Sequence, residues 1–448
     1  MAESTRVAPL EEDFPFEIIS HLIPITPLRE YPHGIIDEQK GLRLAVKQYI
    51  PRNITAQSTT TSDAPEPITI IATGGLGFIK EIYEPYFAEI LHRINASNPN
   101  VRIRSIWMAD VFNMGESAIA NLDNLGCDAT WIDHSRDLWS MINHFHAQMP
   151  KPIIGLGHSL GCFQLTCLSS WHPTLFHSLA FVEPGLDPNY GREWVIPLVV
   201  RTLQRKESWD TREEAEKRVV KSNAAGAWSE KVVARLKRYG IFQTAANKEN
   251  RSGSSGDGGW ALSIPKDQIA TMVFRHNPEG VGMGPGGLED VTLAQRELIP
   301  DSNPDDRGKG PFYRPEMQLG WDLLPKIRPW VLYVNGSNSP DLADPVVREE
   351  RARITGTGVG GNGGMRLGAV KQVVIEEGEH TMPFDRSLGE LADHVGDWLV
   401  TESQRWVDGP RRRRVEWQAK SLQEKQAVGK EFFDAVALVL KQSRPGKL

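Results

Sequence analysis

Pro152-Ile153-Ile154-Gly155-Leu156-Gly157-His158-Ser159-Leu160-Gly161 is the stretch from which the rest of the chain is read. A short apolar run enters a Gly-x-Ser-x-Gly pentapeptide, Gly157 to Gly161, and an apolar run from Cys162 to Leu168 leaves it. With 40 glycines in the chain the pentapeptide alone is weak evidence. Its flanks strengthen it: strand, tight turn and helix are what hold a serine in strained dihedrals with its Oγ above a sheet edge. Glycines on either side remove side chains that would collide with the adjoining strand and helix. The bland alternative is an ordinary glycine turn.

Outward from this motif the chain alternates. Phe14 to Ile25 and Leu42 to Ile50 are β-rich, and Ile68 to Ala72 is a short apolar strand running into Thr73-Gly74-Gly75-Leu76-Gly77. Arg102 to Ala109 and Ser178 to Val182 are further strand candidates, while Trp131 to Phe145 carries apolar residues near helical spacing. From Glu183 the regularity is lost for about 145 residues, where charged helical stretches (Thr211 to Leu236) alternate with Gly/Ser loops. Strand signals return at Trp330 to Val334 and Lys371 to Ile375, with helical patterns at Ser387 to Val400 and Arg414 to Leu440. This order predicts an α/β chain: a parallel sheet interrupted by a cap. Residues 1–183 form the first part of the core, 184–328 the cap or lid insertion, and 329–448 the second part with a C-terminal helix and tail. The glycine-rich stretch Thr355 to Gly368 reads as a mobile surface loop.

Composition narrows the function classes. Of 448 residues, 40% are apolar and 24% charged, an ordinary balance for a large core. Lys+Arg 51 against Asp+Glu 57 gives a net charge of −6, a poor match to a nucleic-acid binder. Cys127, Cys162 and Cys167 are too few and scattered for a disulfide framework or a zinc site, so no metal or cofactor is expected and a reducing compartment is. No apolar run approaches the ~20 residues of a membrane span. The opening MAESTRVAPLEEDF lacks the features of a secretory signal.

A serine nucleophile needs a base. Lys371 to Ile375 ends in Glu376-Glu377-Gly378-Glu379-His380, and a strand, a short glycine loop and then His places an imidazole over the C-terminal sheet edge. His380 is therefore the expected base; the alternative is an exposed loop histidine. His158, inside the pentapeptide, is expected to point away from the serine, and His134, His144, His146 and His394 lack the needed position. Three positions compete for the acid. The loop Gly336-Ser337-Asn338-Ser339-Pro340-Asp341 carries Ser339 where an acid is usual, with Asp341 two residues later. Glu183, 24 residues after Ser159, emerges at the end of Ala180-Phe181-Val182. Glu183 is favoured, Asp341 is second, and Asp187 ranks below both. Its role would be to fix the imidazole tautomer and stabilise the imidazolium. Two backbone N–H groups are expected to hold an oxyanion: Leu160, after the serine at a helix N-terminus, and Leu76, in the glycine turn after the third strand.

These residues resemble the serine-type α/β-hydrolases over about residues 40–183 and 329–402. More narrowly, Gly77-Phe78-Ile79-Lys80-Glu81-Ile82-Tyr83-Glu84-Pro85, with Gly157 to Gly161 and the terminal tripeptide, looks like the fungal peroxisomal acyl-CoA hydrolases of secondary metabolism. That resemblance implies a mostly parallel eight-stranded sheet with an inserted helical cap. It also implies a type I acyl-CoA thioesterase whose Ser–acid–His triad takes its acid after the sixth strand, which supports Glu183 by position. The relatives use Asp there, and the third-strand turn has Gly74 where His is common. The substrate so implied is the CoA thioester of a bulky polyketide or terpenoid acid, in a pocket supplied by the Trp-containing cap (Trp194, Trp209, Trp228, Trp260). A carboxylesterase or lipase acting on an oxygen ester is the alternative, and a non-catalytic binding protein of the same fold is a third reading. Epoxide hydrolases and dehalogenases need a carboxylate where Ser159 sits.

The chain ends Gly446-Lys447-Leu448, which keeps the basic residue and leucine of a peroxisomal import tripeptide. A peroxisomal import receptor is thus an expected partner and the peroxisome matrix the expected location, or the cytosol where the tripeptide is not read. A homodimer is left open. Arg411 to Arg414 reads as a solvated helix start, and Cys162 as core packing.

Overall fold

The computed structural model describes residues 3–52, 65–188, 192–222, 227–244, 259–277, 292–298, 301, 312–339 and 344–442. Asp341 and the tripeptide Gly446, Lys447 and Leu448 lie outside them.

One large sheet organises the chain. Its strands are β1 (Glu3–Val7), β2 (Phe16–Ile25), β3 (Leu42–Pro51), β4 (Ile68–Thr73), β5 (Ile103–Ala109), β6 (Ile153–His158), β7 (Ser178–Val182), β8 (Trp330–Gly336) and β9 (Val370–Ile375). They lie in the order β1-β2-β3-β5-β4-β6-β7-β8-β9. The first three pair antiparallel, and β5 through β9 run parallel. Among the described residues the sheet thus has nine strands rather than eight. The extra one, β1, is a largely exposed edge strand with the sequence Glu-Ser-Thr-Arg-Val, whose polar pattern gives no strand signal.

Burial explains the sequence pattern. Every residue of β4, β6 and β7 is buried, as strands covered on both faces must be, and so they read as mostly apolar runs. The order reverses at β4: the crossover to β5 runs one way and the crossover from β5 to β6 the other. Right-handed connections therefore put their helices on opposite faces. Helix α1 (Glu84–Ser97) follows β4 and packs against α4 (Leu388–Trp406); α2 (Trp131–His144) packs against α3 (Leu160–Trp171), which follows β6. Such a switch point leaves a crevice at the C-terminal ends of the strands.

Between β7 and β8 the described residues add no strand to this sheet. They form helices Arg192–Gln204, Arg212–Ser222, Glu230–Tyr239 and Lys266–Val273, with a small sheet of Ser208–Trp209, Trp260–Leu262 and Ile241–Gln243. Arg235 anchors this region. Its guanidinium is fully buried and bonds Glu84 at 2.7 Å and Glu11 at 2.6 Å.

One local expectation is corrected. The single helical pattern from Arg414 to Leu440 is three helices, Arg412–Ala419, Leu422–Gln426 and Lys430–Gln442. Ser421 caps the second with a full capping box, and such a cap starts a helix rather than continuing one. The glycine-rich stretch after Thr355 lies largely at the surface, and backbone bonds join it to the preceding segment, Gly356 N–H to Leu324 O (2.8 Å) and Asn362 N–H to Ile327 O (3.0 Å).

Candidate active site

Ser159 sits where β6 turns into α3, with φ 54° and ψ −117°. Left-handed backbone at a non-glycine residue is costly and persists only when its surroundings enforce it. They do: Ser159 N–H donates to Val182 O (2.9 Å), while its carbonyl accepts from Cys162 N–H and Gly185 N–H (both 3.1 Å). The glycines are sterically required. A Cβ at Gly161 would lie 2.4 Å from Thr73 O, and one at Gly157 3.0 Å from the Cys162 backbone. Cys162 itself is core, with its Sγ 3.7 Å from Val182 O and burial pushing the thiol well up.

His380 arrives on the loop after β9. Its Nε2 is 2.9 Å from Ser159 Oγ and its Nδ1 is 3.3 Å from Glu183 Oε2. A carboxylate only accepts, so Nδ1 carries the proton and Nε2 faces the hydroxyl as acceptor. Among the described residues the ring bonds to nothing else. Glu183 follows β7 with φ 48°, a second left-handed residue at the same edge. Its Oε1 accepts from Gly336 N–H at 2.5 Å. Burial pushes the carboxyl up. The hydrogen bond and charge of His380, the Ser339 hydroxyl and the Gly336 N–H outweigh that and hold it below its ordinary value. The serine in the usual acid position, Ser339, is buried and helps to hold down the pKa of the carboxylate supplied by the neighbouring strand. Asp187, also weighed for the acid, is buried, and the carboxylate facing His380 Nδ1 is that of Glu183.

The loops that carry acid and base are stitched together. Ser337 N–H donates to Ile375 O (3.0 Å) and Asn338 N–H to Gly378 O (2.9 Å). A Cβ at Gly336 would come within 2.1 Å of Gly378 O.

Across the crevice is the turn after β4. Gly75 N–H donates to Tyr83 Oη at 2.8 Å. Among the described residues neither Leu76 N–H nor Leu160 N–H has an acceptor, and Leu160 is the first residue of α3, where such groups are free. The far end of the turn is fixed by Lys80, whose backbone N–H and buried ammonium both bond Asp110, at 2.9 and 2.6 Å.

A type I acyl-CoA thioesterase mpaH from Penicillium brevicompactum is 32% identical to the chain over 453 residues, 97% of this chain and 99% of the relative. Its counterpart from Penicillium roqueforti (strain FM164) is 32% identical over 418 residues, 90% of each. The chain belongs to the mpaH family of type I acyl-CoA thioesterases. As a member of the mpaH family it is an α/β-hydrolase and an enzyme. The peroxisomal α/β-hydrolase Lpx1 of Saccharomyces cerevisiae shares this fold: it superposes with a TM-score of 0.59 at 14% identity, covering 96% of this chain and 99% of that one. No family model matches the chain.

Sequence reasoning missed several residues of this mpaH-family site. His158 does turn away from Ser159, yet its Nε2 is 2.9 Å from His380 O and its Nδ1 is 2.7 Å from Tyr83 Oη. Burial, with the neighbouring His380, pushes this ring down to about 3. Tyr83 lies within the stretch that carries the family resemblance, but nothing in its spacing assigns it a partner. Arg351, fully buried, reaches Asn335 Oδ1 (2.7 Å) and the carbonyls of Pro184 and Leu186 (3.4 Å each), bracing the loop after Glu183. Of the four tryptophans expected in the cap, Trp228 packs on Phe78 and Phe384 at 5.9 and 5.1 Å, Trp209 is buried and Trp260 half-buried. The side chain of Trp194 lies outside the described set. Among the described residues no cluster of His, Cys, Asp or Glu could hold a metal, and no helix is long and apolar enough to cross a membrane.

Proposed function

We propose that the enzyme hydrolyses the CoA thioester of a bulky acid, of polyketide or terpenoid type, through an acyl-serine. Ser159 Oγ attacks the thioester carbonyl as His380 Nε2 takes its proton. Leu76 and Leu160 N–H groups hold the oxyanion, and collapse expels the CoA sulfur, which takes the proton back from His380. His380 then deprotonates a water that attacks the acyl-serine, and the free acid leaves. Throughout, Glu183 keeps the imidazole in the right tautomer and steadies its positive form.

The observation that carries this reading is His380, whose ring bridges Ser159 and Glu183 in a chain belonging to a thioesterase family. The bulky acyl group is supported by the aromatic wall of Phe78, Trp228 and Phe384 where the cap meets the turn after β4. The test is a panel of acyl-CoA thioesters and matching oxygen esters, with free thiol or acid as readout. Thioester hydrolysis that disappears in Ser159→Ala supports the reading. Hydrolysis of oxygen esters alone would replace it with a carboxylesterase.

A peroxisomal location is part of the same proposal. It is supported by Gly446-Lys447-Leu448 and by the peroxisomal Lpx1 of yeast. Deleting the last three residues of a fluorescently tagged protein should turn a punctate pattern cytosolic; an unchanged punctate pattern would refute the signal.

A further inference from the structure

A cleft of about 370 Å³ opens in the region between β7 and β8, and its lining is unusual for a protein of net charge −6. Arg201, Arg205, Lys206, Arg218 and Lys221 all line it, beside the buried Trp209, and no carboxylate does. Two helices build it. Arg201 lies on Arg192–Gln204, with Arg205 one residue past its end, while Arg218 and Lys221 stand three apart on one face of Arg212–Ser222. Among the described residues the side chains of Arg201, Lys206, Arg218 and Lys221 make no ion pair or hydrogen bond.

Arg205 is the most telling of the five. One terminal nitrogen donates to Ile264 O at 2.8 Å, but its Nε is buried without a partner. Burial pushes its pKa down, with only Glu207 opposing, and the Glu207 carboxylate already accepts from Lys266 N–H. A desolvated cation without a matched anion is costly, and so is crowding like charges around one cavity. A polyanion in the cleft would offset both.

A second cavity borders the cleft. Arg205, Val219 and Leu262 line this narrow cavity of about 30 Å³ as well, and so do Gly77 and Phe78, at the end of the turn that carries Leu76. We propose that the basic cleft binds the nucleotide end of the CoA thioester, its 3′-phosphate and 5′-diphosphate on the Arg/Lys side chains, while the pantetheine arm runs through the narrow cavity toward Ser159. This rests on the reading of the enzyme as a CoA-thioester hydrolase. The neck holds about one water, so entry of the arm requires its side chains to swing apart. The run Arg411 to Arg414 is a weaker candidate, because it stands on the exposed C-terminal arm and Arg411 bonds Glu66 at 2.9 Å.

The test uses the full chain, a double charge reversal (Arg218→Glu with Lys221→Glu) and the single Arg201→Glu, all at exposed positions. Calorimetric titration with adenosine 3′,5′-bisphosphate reads the cleft without any turnover. Wild type should bind it with an affinity that falls as salt rises, and the double variant should bind at least tenfold more weakly. Parallel assays compare an acyl-CoA with the same acyl group on N-acetylcysteamine, which has no nucleotide. The preference for the CoA thioester should fall tenfold or more in the variants. No binding of the bisphosphate to wild type, equal binding to wild type and double variant, or an unchanged preference would each overturn the proposal. If wild type hydrolyses neither thioester, the reading of the function fails, and the bisphosphate titration still decides the cleft.

Discussion

His158 Nε2 donates to the main-chain carbonyl of His380 across 2.9 Å. A carbonyl only accepts, so the proton sits on Nε2 and Nδ1 accepts from the Tyr83 hydroxyl at 2.7 Å. That hydroxyl in turn accepts from Gly75 N–H at 2.8 Å. Each donor has one acceptor along a line from the glycine turn to the backbone of the base. The line works only with a neutral His158, and burial keeps it neutral. The turn and the base are thereby held at a fixed separation through one imidazole.

His158→Ala should lower kcat about 10- to 100-fold, with a smaller change in KM, because a small misplacement of His380 is expensive in rate. Tyr83→Phe, which keeps the ring packing on Phe384 at 4.9 Å, should lower kcat less. Steady-state kinetics beside thermal melts separate the roles: a fall in melting temperature at unchanged kcat would mean that His158 only supports the fold.

His158 also predicts a pH dependence of stability. Its folded pKa of about 3 lies below the ordinary value of 6.5, so between these pH values the unfolded chain binds a proton there that the folded chain does not. Its contribution is therefore retained above pH 6.5 and lost progressively as pH falls toward 3. Other buried groups titrate in the same range, so the informative quantity is a difference. His158→Gln should be less stable than wild type at pH 7, and the gap should narrow from pH 6.5 to pH 4 in denaturant titrations. A constant gap would show that His158 is protonated in the folded state.

Glu183→Gln should lower kcat by about 10³- to 10⁴-fold with the fold intact, the effect of losing the tautomer-fixing carboxylate. Asp341→Ala should stay near wild type. Equal, small losses in both variants would exclude both assignments.

The legible parts of the sequence were those where one physical constraint acts on consecutive residues. Strands β4, β6 and β7 are buried on both faces and read as apolar runs; the turn at Ser159 needs Gly157 and Gly161 because a Cβ there meets backbone. The edge strand β1 was not legible, because an exposed strand has no burial pattern to display. Position ranks Glu183 above Asp341 and Asp187 but does not decide among them. The choice depends on which carboxylate reaches His380 Nδ1, and that is set by the bend at Glu183 and the bond to Gly336. Tyr83, His158 and Arg351 act through partners 8 to 222 residues away, a separation no local pattern encodes.

Arg235→Met should destabilise the protein by about 2 kcal/mol or more. Removing one partner of a buried pair costs about 3–5 kcal/mol when the other charge is stranded. Here Glu84 keeps Lys47 at 3.3 Å and Glu11 is partly exposed, so the loss is smaller. Equilibrium denaturation reads it, and a change within about 0.5 kcal/mol would show that Arg235 does not anchor the helix Glu230–Tyr239.

Gly161→Ala should cost well over 1 kcal/mol and abolish activity, since its Cβ would sit 2.4 Å from Thr73 O and push α3 off β4. Wild-type melting and turnover in that variant would show that the turn at Ser159 is looser than its geometry implies.

The most direct measurement is a rapid-quench reaction of the full chain with an acyl-CoA, analysed by mass spectrometry of the enzyme and assay of free thiol. The expected result is CoA released ahead of free acid, with the acyl mass on the peptide that carries Ser159, and neither in Ser159→Ala. CoA and acid appearing together with no adduct on that peptide, or undiminished turnover in Ser159→Ala, would contradict the Ser159–His380–Glu183 mechanism.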